Sequence, residues 1–231
     1  STNTTGSGNS FFGRDVGFNN TTGSNNAFFG LLSGNANTAG RFNSFFGADS
    51  GEVNSSGIYN SFFGYYSGQQ NNTGSANSAF GAFAIDSVGI GTSNVAFGYK
   101  AGDALSSGST NTLIGAFAGQ SLTTGSGNIV IGYNANALAA TLSNNLNIGN
   151  LLFGTGLGSG TGIATGNIGI GTSTPAYQLQ TTGNIGIGAS ATITSYLSAG
   201  SIYSAGAVCL STDCRTSWPT AGTSYTASNG I

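Results

Sequence analysis

Charge is the scarcest property of this chain: Asp, Glu, Lys and Arg together make up 4% of its 231 residues, against roughly 25% in an ordinary globular domain. The four basic residues, Arg14, Arg41, Lys100 and Arg215, are scattered, and the formal net charge is −2. That excludes nucleic-acid binding through a phosphate-neutralising patch. Histidine is absent, which removes the commonest general base and a frequent metal ligand. Without it, two cysteines cannot complete a four-coordinate zinc site. No apolar run approaches the ~20 residues of a membrane-spanning helix. A chain this poor in charge must present hydroxyl and amide surfaces to stay in solution.

Glycine is abundant, at 41 residues, and 15 Phe and 9 Tyr accompany it. Low-complexity Gly/Ser/Asn/Thr sequences are often disordered, because they bury too little to offset ordering entropy. Here, however, the aromatics fall in register. Asn recurs every 17 residues, at Asn9, Asn26, Asn43, Asn60, Asn77, Asn94, Asn111, Asn128 and Asn145. A Gly follows each of them four positions later, from Gly13 to Gly149. A fixed short period without insertions predicts stacked, near-identical coils. The fold class expected is all-β: a parallel β-solenoid or β-roll over residues 1–149. A Gly-rich connector (150–166) and a smaller β region (167–231) follow.

Within one coil, Asn60 to Phe63 reads as a short strand, Gly64 as a turn, and Tyr65 to Ser67 as a second short strand. Gly at three places per coil excludes helix. Strand side chains alternate between faces. The column Phe12, Phe29, Phe46, Phe63, Phe80, Phe97, Ile114, Ile131 and Ile148 is assigned to the core of the coil. The adjacent column Phe11, Phe28, Phe45 and Phe62 then faces outward as an apolar stripe between identical subunits. Two alternatives stay open: a coil wide enough to bury both columns, and an exchange of the two faces. The Asn column at positions 9 to 145 is expected to hydrogen-bond along the stack as a ladder. A second Asn column, Asn3, Asn20, Asn37, Asn54 and Asn71, is placed in solvent-facing loops. It changes to Val88, Leu105 and Leu122, where the loop is expected to pack on something.

The remaining chemistry is sparse. Asp15 and Asp49 share a repeat column two coils apart, ~10 Å, too far for a retaining carboxylate pair. Asp86 and Asp103 share a column one coil apart, with Glu52 in the same column. Such a pair can hold Ca²⁺ with backbone oxygens, but solvated loop carboxylates are the simpler reading. The Gly-rich run 154–162 has GxGxxG-like spacing without a strand-to-helix context, so a phosphate loop is rejected. Glycosylation sequons fall at Asn3, Asn19, Asn20, Asn54 and Asn71, as chance allows in an Asn/Thr-rich chain. No catalytic, cofactor-binding or metal residue is assigned, and an enzyme is not expected. Cys209 and Cys214 are read as a small disulfide-closed loop if the protein is extracellular, with two free thiols as the alternative.

The unit Asn60-Ser61-Phe62-Phe63-Gly64 followed by Ser67-Gly68 and a Thr73-Gly74-Ser75 loop resembles the head repeats of trimeric autotransporter adhesins. Asn94-Val95-Ala96-Phe97-Gly98-Tyr99-Lys100-Ala101-Gly102 is the most similar variant. The stretch Gly169-Ile170-Gly171-Thr172-Ser173-Thr174-Pro175-Ala176-Tyr177 is similar to phage-type tail-fibre proteins. The coil here is longer than the units usual in adhesin heads. The resemblance implies a side-by-side homotrimer at a cell surface or on a virion. The function expected is that of a structural subunit of an extracellular fibre or appendage, adhesive toward an unknown surface ligand and able to join end to end into a filament. The alternatives are a phage receptor-binding fibre and, more remotely, an ice-binding solenoid. No cofactor, nucleic acid or membrane span enters this reading.

Overall fold

The computed structural model of the chain describes residues 3–87, 89–158 and 165–183, with the backbone of Val208–Leu210 and Asp213–Arg215. The chain divides into two compact units, Ser1–Ile185 and Gly186–Ile231. In the first unit, one three-residue strand recurs per coil: β1 (Ser10–Phe12), β2 (Ala27–Phe29), β3 (Ser44–Phe46), β4 (Ser61–Phe63), β5 (Ser78–Phe80), β6 (Val95–Phe97), β7 (Thr112–Ile114), β8 (Ile129–Ile131) and β9 (Leu146–Ile148). Each pairs in parallel with the next, with equivalent residues side by side: Phe28 beside Phe45, Phe29 beside Phe46. The chain is therefore a β-solenoid of about eight turns, and no helix occurs among the described residues.

The expected second strand of the coil does not form. Tyr66 in the stretch Tyr65 to Ser67 has a φ of 57°, and the same left-handed backbone recurs at Asp49, Phe83, Lys100 and Phe117. One such residue per coil turns the chain where a strand would continue. The sheet also does not end at Gly149. β10 (Leu152–Gly154) reverses direction and pairs antiparallel with β9 and with β11 (Ile168–Ile170). β12 (Leu179–Thr181) then pairs in parallel with β11. Leu152–Gly154 of the expected connector thus belongs to the same twelve-stranded sheet. In the second unit, β13 (Val208–Leu210) and β14 (Asp213–Arg215) form an antiparallel pair.

The assignment of the two Phe columns is reversed in the structure. Phe28, Phe45 and Phe62 are 0% exposed, whereas Phe12 is 75% exposed. Phe29, Phe46, Phe63 and Ile131 are half-buried, and Phe80, Phe97, Ile114 and Ile148 are exposed. The core of the coil is thus Phe11, Phe28, Phe45 and Phe62, continued by Ala79, Ala96, Leu113 and Val130. The physical reason lies two residues upstream. Asn and the first Phe are i and i+2 on an extended segment and so share a face. The Asn side chains are inside, with Asn43, Asn60, Asn77 and Asn94 all at 0% exposure.

The Asn ladder forms as expected. The backbone N–H of Asn60 donates to Asn43 Oδ1 at 2.8 Å, and that of Asn77 donates to Asn60 Oδ1 at 2.9 Å. Asn60 Nδ2 donates to the Gly74 carbonyl at 2.8 Å. One side chain so satisfies a donor and an acceptor in the following coil. The loop column does not face solvent: Asn20, Asn37, Asn54 and Asn71 are fully buried. They form a second amide ladder, Asn37 Nδ2 to Asn20 Oδ1 and Asn54 Nδ2 to Asn37 Oδ1, each at 2.7 Å. Where this column becomes Leu105 and Leu122, the side chains are buried as well. Val88 lies outside the described residues.

Between the fourth and fifth coils interior volume is exchanged between two positions. A Cβ at Gly51, which has a φ of +57°, would lie 2.5 Å from the Phe45 ring. Gly34 and Gly68 stand in the same relation to Phe28 and Phe62. In the fifth coil Phe is replaced by Ala79 and the Gly by Ile85, which is fully buried. Ile85 keeps the left-handed φ of 49°, a conformation costly for a β-branched side chain, on the order of 1–3 kcal/mol. It holds there because its side chain fills space that Phe occupies elsewhere. The two positions should therefore be coupled. Ala79→Phe and Ile85→Gly should each lower stability, by about 2–4 kcal/mol for the cavity-forming change. The double variant should recover at least ~2 kcal/mol of their sum in urea unfolding, whereas strict additivity would contradict the exchange.

Candidate functional site

With the interior closed by rings and amides, the chemistry open to a partner lies on the outer columns. The first outer feature is the outward strand face. Phe29, Phe46, Phe63 and Phe80 form a ladder of near-parallel rings with successive centroids 4.8 Å apart. That spacing is the coil separation itself. At the amino end of the ladder Phe12 lies 6.3 Å from Phe29, and at the other end Phe97 lies 5.8 Å from Phe80. Ile114, Ile131 and Ile148 extend the column. Beside it runs Ser44, Ser61, Ser78, Val95, Thr112, Ile129 and Leu146, with no charge in either column. In the last coils this face borders a groove lined by Thr110, Thr112, Ile129, Asn144 and Leu157.

A second aromatic surface lies just past the Gly turn that follows each strand. Tyr65, Tyr99 and Tyr133 occupy one column in alternate coils, with Ala82 and Ala116 between them. Phe83 and Phe117 come from the next column of the intervening coils. The rings meet edge to face: Tyr65–Phe83 at 5.4 Å, Phe83–Tyr99 at 6.1 Å, Tyr99–Phe117 at 5.2 Å and Phe117–Tyr133 at 6.1 Å. Such a geometry sets the positive ring edge against the negative ring face. The three tyrosines remain open to solvent, at 48%, 45% and 76% exposure. Our reading of the sequence did not single out this strip. Its signal is present, however, as a Tyr–Ala alternation at twice the coil period.

Four of the six carboxylates lie toward the amino-terminal half of the strip and, among the described residues, none toward Phe117 and Tyr133. Lys100 Nζ lies 5.5 Å from the Phe83 ring centroid and 6.0 Å from that of Tyr99, within cation–π range. It also pairs with Asp103 Oδ2 at 3.7 Å. Gln69 Nε2 donates to Glu52 Oε2 at 2.7 Å. Burial raises the Asp49 carboxyl above the usual range, and Glu52 adds to the shift. Asp86 is pushed up to about 6, by burial first and by Asp103 second, with Lys100 opposing. Asp86 Oδ1 is buried and has no hydrogen-bond partner. Asp15 pairs with Arg14 at 3.7 Å on the exposed first coil. Among the described residues, no group of three or more His, Cys, Asp or Glu could hold a metal ion.

Loop hydroxyls of the first coils are committed to the coil-to-coil ladder. Thr4, Thr21 and Thr38 Oγ1 donate to the carbonyls of Thr21, Thr38 and Ser55 at 2.9–3.0 Å. The sequons at Asn20, Asn54 and Asn71 are closed to modification by the burial of their side chains. In the second unit Cys209 stands opposite Cys214 in the β13–β14 register. Their side chains lie outside the described residues. No helix of the described residues is long and apolar enough to cross a membrane. Comparison with family models, curated proteins and solved structures finds no match to this chain.

The Asp86 environment has a pH signature. Its folded-state pKa, about 6, stands above the ordinary 3.8. Ionising this carboxyl therefore opposes folding. Its stabilising contribution is complete below about pH 4 and is lost as pH rises through about 6. Asp86→Asn should raise the melting temperature relative to the parent chain at pH 7 and give no advantage at pH 4. An equal effect at both pH values in thermal unfolding would contradict the assignment.

Proposed function

We propose that this chain is a structural subunit of an extracellular fibre or surface appendage, built by side-by-side association of identical solenoids. The observation that carries this reading is the uncharged outward strand face, with its ring ladder from Phe29 to Phe80 left exposed or half-buried. Along eight turns the three-residue strands make a face ~40 Å long and about 10 Å wide, on the order of 400 Å². That is about half of the ~800 Å² each partner contributes to a standard stable interface. It is in the range of the largest apolar patches of monomeric proteins, which are often functional.

An identical copy is the natural partner. Its side chains recur at the same coil spacing, so a fit made in one layer repeats in every other. Three copies, as the resemblance to adhesin heads implies, would bring three such faces around one axis. The lack of charge on the face removes the desolvation cost that buried ions carry. The adhesive role and the extracellular setting rest on the resemblance and on the hydroxyl- and amide-rich surface. A phage receptor-binding fibre is the second reading, resting on the tail-fibre-like stretch Gly169 to Tyr177. Ice binding loses ground, because threonine hydroxyls of the loop are tied to backbone carbonyls.

Native mass measurement tests the association. The parent chain should be a trimer at micromolar concentration. Phe46→Ser, Phe63→Ser and Phe80→Ser combined should give a folded monomer with an unchanged β-type circular dichroism spectrum. A monomeric parent chain, or a trimer that survives all three substitutions, would contradict the proposal.

A further inference from the structure

The edge-to-face strip of Tyr65, Phe83, Tyr99, Phe117 and Tyr133 is separate from the outward strand face and is not needed to close the core. We propose that it is a binding surface for a linear polysaccharide carrying free amino groups. Three observations lead there. The first is repetition along a straight axis. Exposed tyrosines return in every second coil, ~9.6 Å apart, and a regular array of this kind suits a polymer with its own repeat better than one small molecule.

The second is the state of the backbone beside the strip. The N–H groups of Phe83, Lys100 and Phe117 donate to the carbonyls of Tyr65, Ala82 and Tyr99 at 2.8–3.0 Å. No strand edge is left there to take up a peptide by β-addition. What remains for a ligand is ring surface and the polar tips of tyrosines. Ring faces accept the C–H-rich face of a pyranose, and phenol hydroxyls hydrogen-bond its substituents.

Charge supplies the third observation. Asp49 and Glu52 lie toward Tyr66 and Asp86 and Asp103 toward Lys100, so the amino-terminal half of the strip carries four carboxylates against one lysine. Lys100 already shows how a cation is held there, with its ammonium over Phe83 and Tyr99 and beside Asp103. On the amino-terminal half of the strip a sugar ammonium would meet an aromatic face and a carboxylate, whereas Phe117 and Tyr133 offer ring surface alone. The complementarity is with a cationic glycan; a polyanionic one would be repelled.

The inference rests on the fibre reading only for where such a ligand is met; binding is read on the purified chain. Titration calorimetry at near-neutral pH would compare beta-linked glucosamine oligomers with their fully N-acetylated forms and with oligolysine of similar length. The glucosamine oligomer should bind, more weakly as salt is added. Tyr99→Ala and Tyr133→Ala should each weaken it about tenfold, with circular dichroism and melting temperature unchanged. Asp103→Asn should weaken the glucosamine oligomer and leave the acetylated form unaffected. The proposal is overturned if the glucosamine oligomer does not bind, if the tyrosine variants bind it as the parent does, or if the acetylated oligomer or oligolysine binds as tightly. Oligomeric state measured in the same samples keeps the two proposals apart. A monomer that binds would sink the association, and a trimer that does not bind would sink only the glycan site.

Discussion

One hydrogen-bonded side chain per coil governs this molecule. The Asn at the start of each strand accepts the backbone N–H of its counterpart in the next coil and donates to a glycine carbonyl of that coil. The N–H would otherwise be buried without a partner, at a cost of roughly 1–3 kcal/mol; the glycine carbonyl also accepts from the second Asn column, Asn71 Nδ2 donating to Gly74 at 2.9 Å. The amide can do both because it carries a donor and an acceptor on one short, uncharged arm. A carboxylate could only accept, and would have to be buried as an ion. The scarcity of charge in the chain is in keeping with an interior whose polar groups are closed by amides.

The ladder also decides which residues face inward. Asn lies inside, so the residue two positions later lies inside and its neighbour lies outside. The buried phenylalanines stack with centroids 4.6–5.0 Å apart and planes within 8° of parallel. Ring pairs otherwise prefer offset or edge-on contacts, so it is the coil spacing that sets this arrangement. Along the rod the filling changes. Phe with Gly gives way to Ala79 with Ile85, and the second amide ladder gives way to Leu105 and Leu122. In β9, the last strand of the parallel run, Asn147 stands in the core column and hydrogen-bonds to Asn136 and Asn150, so the apolar column ends on a polar group. The two ends of the rod are therefore chemically different.

Periodicity made the solenoid, its coil length and the Asn ladder legible from the residues alone. The facing of the strand was not, because both columns carry Phe in the first four coils and composition cannot choose between them. The deciding signal is a correlation across columns. Only the position of Phe45 changes to Ala in the same coil in which a Gly six residues later becomes Ile. That is what a ring packed against a glycine produces. The second Asn column reads as solvent-facing because it falls in the polar loop stretch of each coil. It is inside because amides stacked at the coil spacing satisfy one another. The aromatic strip escaped notice because its repeat is two coils long, and reading column by column at a single coil period hides it. The reversal of β10 lies in a Gly-rich stretch whose composition signals flexibility and gives no strand direction.

The facing of the strand is the claim on which the core, the association surface and the ladder all depend. Urea unfolding of Phe45→Ala and Phe46→Ala, measured where the chain is monomeric, tests it most directly. Removal of the fully buried Phe45 ring should cost about 3–5 kcal/mol, as deletion of a core aromatic does. Removal of the outward, half-buried Phe46 ring, which loses its stacking on Phe29 and Phe63, should cost about 1–2 kcal/mol. A larger loss for Phe46→Ala than for Phe45→Ala would contradict the account.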